Sequence, residues 1–238
     1  MKVIDAVWEK RNLGIDACEV LFEREDAVAD ISSEFERISA PYTVVKVPSE
    51  RNDISEYVQK DGYRYIEDLI GMEHDLHDQV RHPLHQRLYE AVAYRSMTEE
   101  DYAVLQHEIQ SGIFDSDRIS KDLKFGKSIS AVRYCNWVAD LREQGAALYT
   151  MLYRQEPSGF IILLTKDGSC YQSVLGGAYR RYLKTGLGMV QKEQEIVKKL
   201  GGKKLTTNVS SNNPSQLKAL VANGYVPVTV QHVFVKHN

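Results

Sequence analysis

The chain has 238 residues, a length that suits one large domain or two small ones. Hydrophobic residues make up 43% and charged residues 26%, so a core of useful size can be buried, and a net charge of −3 leaves no excess of Lys and Arg to build a nucleic-acid groove. The longest apolar run, residues 160–164, is too short to span a membrane, the N-terminus lacks a signal-peptide pattern, and three scattered cysteines (Cys18, Cys135, Cys170) lack metal-ligand spacing, which points to a reducing cytoplasm.

Residues 17–22 read as a short strand. A helix is predicted over 25–38, where Val28, Ile31, Phe35 and Ile38 share one face. Pro41 opens a Val-rich strand at 42–47, and Asn52 or Asp53 is expected to cap a helix that runs to Lys60. Residues 63–70 form the next strand, and the polar stretch 74–95 reads as a connector. Thr98 with Asp101 three residues on resembles a capping box and announces a helix that Gly112 stops. Residues 115–125 read as loop with short turns, and 128–143 as a helix. The period then changes. Three strands at 147–153, 159–165 and 171–179 read as an antiparallel meander. A helix at 187–200, a strand at 205–209, a helix at 214–222 and a strand at 225–235 complete the chain. One internal echo stands out: Lys46-Val47-Pro48, a helix and Gly62-Tyr63 parallel Asn208-Val209-Ser210, a helix and Gly224-Tyr225.

The stretch Tyr182-Leu183-Lys184-Thr185-Gly186-Leu187-Gly188 lies between a predicted strand and a predicted helix. Glycines there let the backbone turn tightly and approach a ligand. The first N–H groups of the following helix have no internal partner, so the site suits a phosphate or pyrophosphate without any cationic side chain. Lys184 and Thr185 would add one charged and one neutral contact. A plain strand-to-helix turn would need the same glycines. The stretch is not a P-loop, because no Gly-Lys-Ser/Thr follows, and it is not the dinucleotide fingerprint, because the preceding strands form a meander.

With Gly186-Leu187-Gly188 after a strand, and with Asn213, Ala219 and Gly224-Tyr225 at their spacing, residues 148–236 resemble the GNAT superfamily of acyl-CoA-dependent N-acyltransferases. The segment Ile113-Phe114-Asp115-Ser116-Asp117-Arg118-Ile119, with Asp122, Arg133-Tyr134 and Trp137, is similar to the branch that acetylates amino sugars on nucleotide carriers, typified by dTDP-fucosamine acetyltransferase. Trp8, Asn12-Leu13-Gly14 and residues 45–48 extend that similarity toward the N-terminus. The resemblance implies an α+β fold with a mixed, mainly antiparallel sheet flanked by helices. It implies a smaller α/β N-terminal portion (1–95) on the acceptor side and an acyl-CoA-binding domain (96–238).

Acetyl-CoA is the implied co-substrate, lying in a gap between the strand at 171–179 and that at 205–209. Leu175, Gly176 and Gly177 would pair with the pantetheine, Leu183, Lys184, Thr185, Gly186, Leu187 and Gly188 would hold the pyrophosphate, and Asn213 would pack beside CoA. A neutral amine would attack the thioester directly. The expected partner is a small-molecule amine, foremost an amino sugar on a nucleotide, with no nucleic acid, membrane or metal, and with a homodimer allowed. Two departures stand out. Leu183 replaces the Arg or Gln that usually begins the family's loop. Leu220 replaces the Tyr that often protonates the leaving thiolate, so no catalytic residue is assigned. A fold that binds CoA or a partner without catalysis, and transfer to a peptide or polyamine amine, are the alternatives.

His74, His77, His82 and His85 cluster near Glu73, Asp75 and Asp78, but Pro83 interrupts any single helix, so a polar connector is favoured over a metal site. Asp117, Arg118 and Asp122 read as an internal ion-pair hub more than as a substrate patch, with the Asp residues flanking the Arg. Tyr179 and Tyr182 read as packing. Ser210-Ser211 has no triad partners.

Overall fold

The computed structural model describes residues 1–28, 35, 37–76, 83–183, 185 and 188–238, without the side chains of residues 83–85 and 88. Its strands are β1 (Lys2–Asp5), β2 (Ala17–Leu21), β3 (Tyr42–Pro48), β4 (Arg64–Asp75), β5 (Val92–Ser96), β6 (Ala147–Tyr153), β7 (Glu156–Asp167), β8 (Cys170–Ala178), β9 (Lys204–Ser210) and β10 (Val226–His237). Its helices are α1 (Val7–Leu13), α2 (Asn52–Lys60), α3 (Pro83–Glu90), α4 (Glu99–Gln110), α5 (Arg118–Lys121), α6 (Gly126–Glu143), α7 (Met189–Lys199) and α8 (Pro214–Ala222). All ten strands form one sheet in the order β1-β2-β3-β10-β4-β9-β8-β7-β6-β5. Among the described residues only β2–β3 and β8–β9 pair in parallel. This is the expected α+β fold: a mixed, mainly antiparallel sheet flanked by helices.

Strand alternation divides the core between the two faces. Val44, Val233 and Val235 point to one face, where they meet Ile119, Phe125 and Ile129 of the α5–α6 region. Phe160 and Ile162 point the same way, toward Leu105 and Ile109 of α4 and Val138 of α6. Val45, Val47 and Phe234 point to the other face, against Ile54 and Val58 of α2. Ile161, Leu163, Leu205 and Val209 also face that side, against Ile196 and Val197 of α7 and Leu220 of α8.

The sequence echo is structural. β3–α2–β4 and β9–α8–β10 are the same unit placed twice, with β10 inserted between β3 and β4 and β4 between β10 and β9. Gly62 and Gly224 turn both helices off in the left-handed region, with φ of 87° and 86°. The Tyr63 N–H then donates to the Val58 carbonyl at 3.2 Å, and the Tyr225 N–H to the Leu220 carbonyl at 3.1 Å. The two units differ where it matters. β2 and β3 stay paired from Ala17↔Tyr42 to Leu21↔Lys46, whereas β8 and β9 pair only over Cys170↔Lys204, Tyr171↔Leu205 and Gln172↔Thr206.

The Thr98–Asp101 capping box forms as read, and Asp101 also takes the Arg95 guanidinium with two bonds. Three expectations need correction. The stretch 74–95 is not a connector: β4 runs on to Asp75, and α3 and most of edge strand β5 follow. Residues 115–125 contain the one-turn helix α5, which Asp117 caps by accepting from the Ile119 and Ser120 N–H groups. Neither Asn52 nor Asp53 caps α2; Arg51 holds that position without a side-chain cap. β1 and α1 had no sequence signal that was read. Half of the helix predicted over 25–38, residues 29–34 and 36, lies outside the described residues, as do His77 and His82. His74 is buried, its Nδ1 2.9 Å from the Gly224 carbonyl and its ring stacked on Tyr225. Among the described residues no helix is long and apolar enough to cross a membrane.

Candidate acyl-CoA site

The site begins with one extra residue. Opposite β7, Leu175 pairs with Ile162 and Ser173 with Leu163, so Val174 is a bulge. A bulge bends its strand and increases its twist. Directly before it, at Gln172↔Thr206, the pairing of β8 with β9 ends. The two strands splay into a V whose walls are residues 173–178 and 207–210. β8 remains bonded to β7 on its other side as far as Ala178. One edge of β8 therefore offers backbone N–H and C=O groups to whatever enters the V. Leu175, Gly176 and Gly177 lie on this wall. A side chain added at Gly177 would meet no atom of the described residues within 4 Å, so among them the space beside this residue is open.

Beyond β8, Tyr179 is buried against Phe160, and residues Arg180–Tyr182 form a 3₁₀ turn. Leu183 is exposed, and the Thr185 hydroxyl donates to the Tyr182 carbonyl at 2.7 Å. Lys184, Gly186 and Leu187 lie outside the described residues. Gly188 occupies the N-cap position of α7, which has no side-chain cap, so first-turn N–H groups remain to bind an anion. Gly188 has a packing reason as well: a Cβ there would sit 3.0 Å from the Tyr89 backbone of α3. Arg180 and Arg181, not among the residues assigned from the sequence, are exposed cations on the turn that leads to the glycines. Their adjacency to the glycine stretch was the available signal. Arg180 is oriented, with its N–H bonded to Glu108 at 2.8 Å and its guanidinium to the Ser111 carbonyl.

On the β9 wall, Asn213 caps α8 by accepting from the Gln216 N–H at 3.1 Å. Leu220 is 1% exposed and packed among Met72, Val209 and Tyr225. A Tyr in its place would need room that this core lacks. Overpacking typically costs 1–3 kcal/mol, so Leu220→Tyr is expected to lower the urea unfolding midpoint rather than supply a proton donor. An unchanged midpoint would show that the phenol fits.

The opposite face of the V meets the N-terminal half. Ser210, the last residue of β9, donates its hydroxyl to the buried Glu67 of β4 and lies 3.2 Å from the Ser116 carbonyl. Burial raises the Glu67 carboxyl above its ordinary pKa, against the opposing effects of Ser210 and Arg118. Arg118 is an ion-pair hub, but its partners are not the flanking Asp residues. It bonds Glu9 at 3.0 Å and Glu19 at 2.9 Å, while Asp117 accepts from the Ser130 hydroxyl and Asp122 binds His237.

No family model matches this chain, and no curated protein matches it in sequence. Solved structures do match. A GCN5-related N-acetyltransferase from Sphaerobacter thermophilus superposes with a TM-score of 0.65 at 11% identity, covering 99% of this chain and 75% of that one. A tandem GNAT protein from the clavulanic acid biosynthesis pathway gives 0.57 at 11%, covering 92% and 74%. A glucosamine N-acetyltransferase region of a fungal multi-domain β-N-acetylglucosaminidase gives 0.61 at 12%, covering 93% of this chain and 30% of that one. The fold of this chain is therefore that of the GNAT N-acetyltransferases.

Proposed function

We propose that the chain is an acetyl-CoA-dependent N-acetyltransferase acting on a primary amine, with an amino sugar on a nucleotide carrier as the leading acceptor. The observation that carries the reading is the V between β8 and β9, with the free edge of residues 173–178 on one side and the uncapped start of α7 below it. An extended pantetheine arm with two amides would be bound there as an added strand, its pyrophosphate near Gly188 and Arg181. The bound thioester carbonyl would lie along backbone N–H groups of the same edge, which suits the oxyanion formed when an amine attacks. The amine would enter from the face that carries Glu67, Ser210 and Ser116, where the N-terminal half closes the cleft. The amino-sugar acceptor rests on the resemblance of the Ile113–Ile119 segment and on the glucosamine acceptor of one structural neighbour. The buried Leu220 favours a second reading, a CoA-binding fold without transfer.

Acetyl-CoA at saturation is expected to raise the Tm, because a ligand bound only by the folded state stabilises it. Gly177→Val is the informative variant. Its Cβ meets nothing within 4 Å among the described residues, and Val suits a strand, so the fold should be kept while the branched side chain occupies the space beside the β8 edge. The variant should keep the parent Tm and lose the shift. An unmoved Tm for the parent would overturn the co-substrate. A panel of nucleotide amino sugars, read by free-CoA release, separates transferase from binder.

A further inference from the structure

A buried polar atom left without a partner costs about 1–3 kcal/mol, so two of them in one core call for a reason. At the closed end of the V, Glu193 and Tyr225 form such a pair. Glu193 projects from α7 and is 5% exposed; Tyr225 follows α8 and is 2% exposed. Glu193 Oε1 and Tyr225 Oη both lack a hydrogen-bond partner among the described residues. Burial, and then the charge of Glu193, push the Tyr225 phenol well above its ordinary pKa, so the two groups feel each other. Burial raises Glu193 to about 7, and the nearby Ser173 hydroxyl opposes that shift. Ser173 is the first β8 residue beyond the last β8–β9 pair, which places the carboxyl behind the apex of the V.

The internal repeat supplies a comparison. Tyr63 fills the place of Tyr225 in the N-terminal unit, where Thr43 lies near the phenol without a hydrogen-bond partner of its own among the described residues. With Val47 aligned to Val209, the residue matching Thr43 is Leu205, which is apolar and fully buried. The scaffold needs an aromatic ring at this position in both units. The charge near the N-terminal phenol is Asp61, whereas the charge near the C-terminal one is Glu193, which is buried in the same core.

We propose that Glu193, with Tyr225 beside it, is the proton donor to the leaving thiolate, the role that Leu220 cannot fill. The inference rests on the acetyl-CoA reading above. The amine nitrogen attacks the thioester carbonyl carbon; the C–N bond forms and the C–S bond breaks. Sulfur leaves with the bonding pair and takes the carboxyl proton, giving the CoA thiol and a Glu193 carboxylate. The surplus proton on the new amide nitrogen passes to solvent, and Glu193 regains one from solvent before the next turnover. A thiol of ordinary pKa near ~8.5 accepts a proton from a carboxyl near 7 downhill. The phenol of Tyr225 stays protonated throughout and stabilises the carboxylate left behind. Of the charged groups on the surrounding elements, Lys192 and Glu195 of α7 are bonded to each other, and His74 of β4 bonds the Gly224 carbonyl.

Infrared difference spectra of the full chain with and without acetyl-CoA test this without an acceptor. The parent should show a protonated-carboxyl band that shifts when acetyl-CoA is added, and Glu193→Gln should lack it, while both proteins show the Tm rise. A Tm rise in both with no such band refutes the donor and leaves the co-substrate standing. No Tm rise in the parent refutes the co-substrate and the donor with it. With an acceptor from the amino-sugar panel, Glu193→Gln should lower kcat by ~10²–10⁴-fold and flatten the pH profile near 7, and Tyr225→Phe should do so less. An unchanged kcat and profile would overturn the assignment.

Discussion

Arg118→Met is expected to destabilise the fold by about 3–5 kcal/mol, the range for removing one partner of a buried ion pair. The reason lies in what remains. Arg118 bonds Glu9 of α1 and Glu19 of β2, both buried. Burial alone would raise these two carboxyls. Arg133 and Arg118 together hold Glu9 below its usual range, and Arg118 with Lys46 does the same for Glu19. Without the guanidinium, Glu9 keeps Arg133 and Asn12, and Glu19 keeps Lys46 with a weaker pull from Arg133. Urea unfolding of the parent and the variant checks the magnitude. Adding Glu19→Gln to Arg118→Met should restore part of the loss, because a neutral amide needs less compensation than a buried charge. A cost below about 1 kcal/mol, with no recovery in the double variant, would show that water replaces the guanidinium and that the hub is not a structural lock. The lock bears on the site, since α5 follows directly on Ser116, whose carbonyl lies against Ser210 at the mouth of the V.

What the sequence disclosed was local in origin. The Thr98–Asp101 box needs only three residues and a helix, so it could be read directly. The meander and the repeated unit were legible because turns and periods are short-range. The V itself was not. Val174 reads like any strand residue, and its bulge depends on its register with Ile162 and Leu163. β5 was missed because Val92–Ser96 is short and largely exposed, and it is a strand only because β6 pairs with it. The partners of Arg118 lie about a hundred residues away in Glu9 and Glu19, and no spacing announces them. The run Gln191-Lys192-Glu193-Gln194 looks like a solvated helix face. It is buried because α7 is packed between its neighbours on several sides, with Tyr89 of α3 over Lys192 and the Asn223 carbonyl holding Gln194.

That run supports the second large expectation, which concerns stability and pH. Burial raises Glu193 from 4.5 to about 7, so folding favours its protonated form. Its contribution to stability is fully present below about pH 4.5 and is lost as pH rises through about 7, because the native state then must bury a carboxylate that the unfolded chain ionises freely. At 1.36 kcal/mol per pKa unit, the loss reaches roughly 3 kcal/mol on the alkaline side. Glu67 is raised too and adds a slope of the same sign, so the parent's own profile does not isolate Glu193. The difference between Glu193→Gln and the parent does. Gln cannot ionise, so the variant should become progressively more stable than the parent as pH increases from about 4.5 to about 7, and the gap should then level off. Saturating CoA should leave this gap largely in place, since a thiol does not neutralise a carboxylate. Chemical denaturation of both proteins across this range is the measurement. A stability difference that stays flat with pH would mean that Glu193 titrates as an ordinary carboxyl, and it would remove the acid on which the proposed protonation depends.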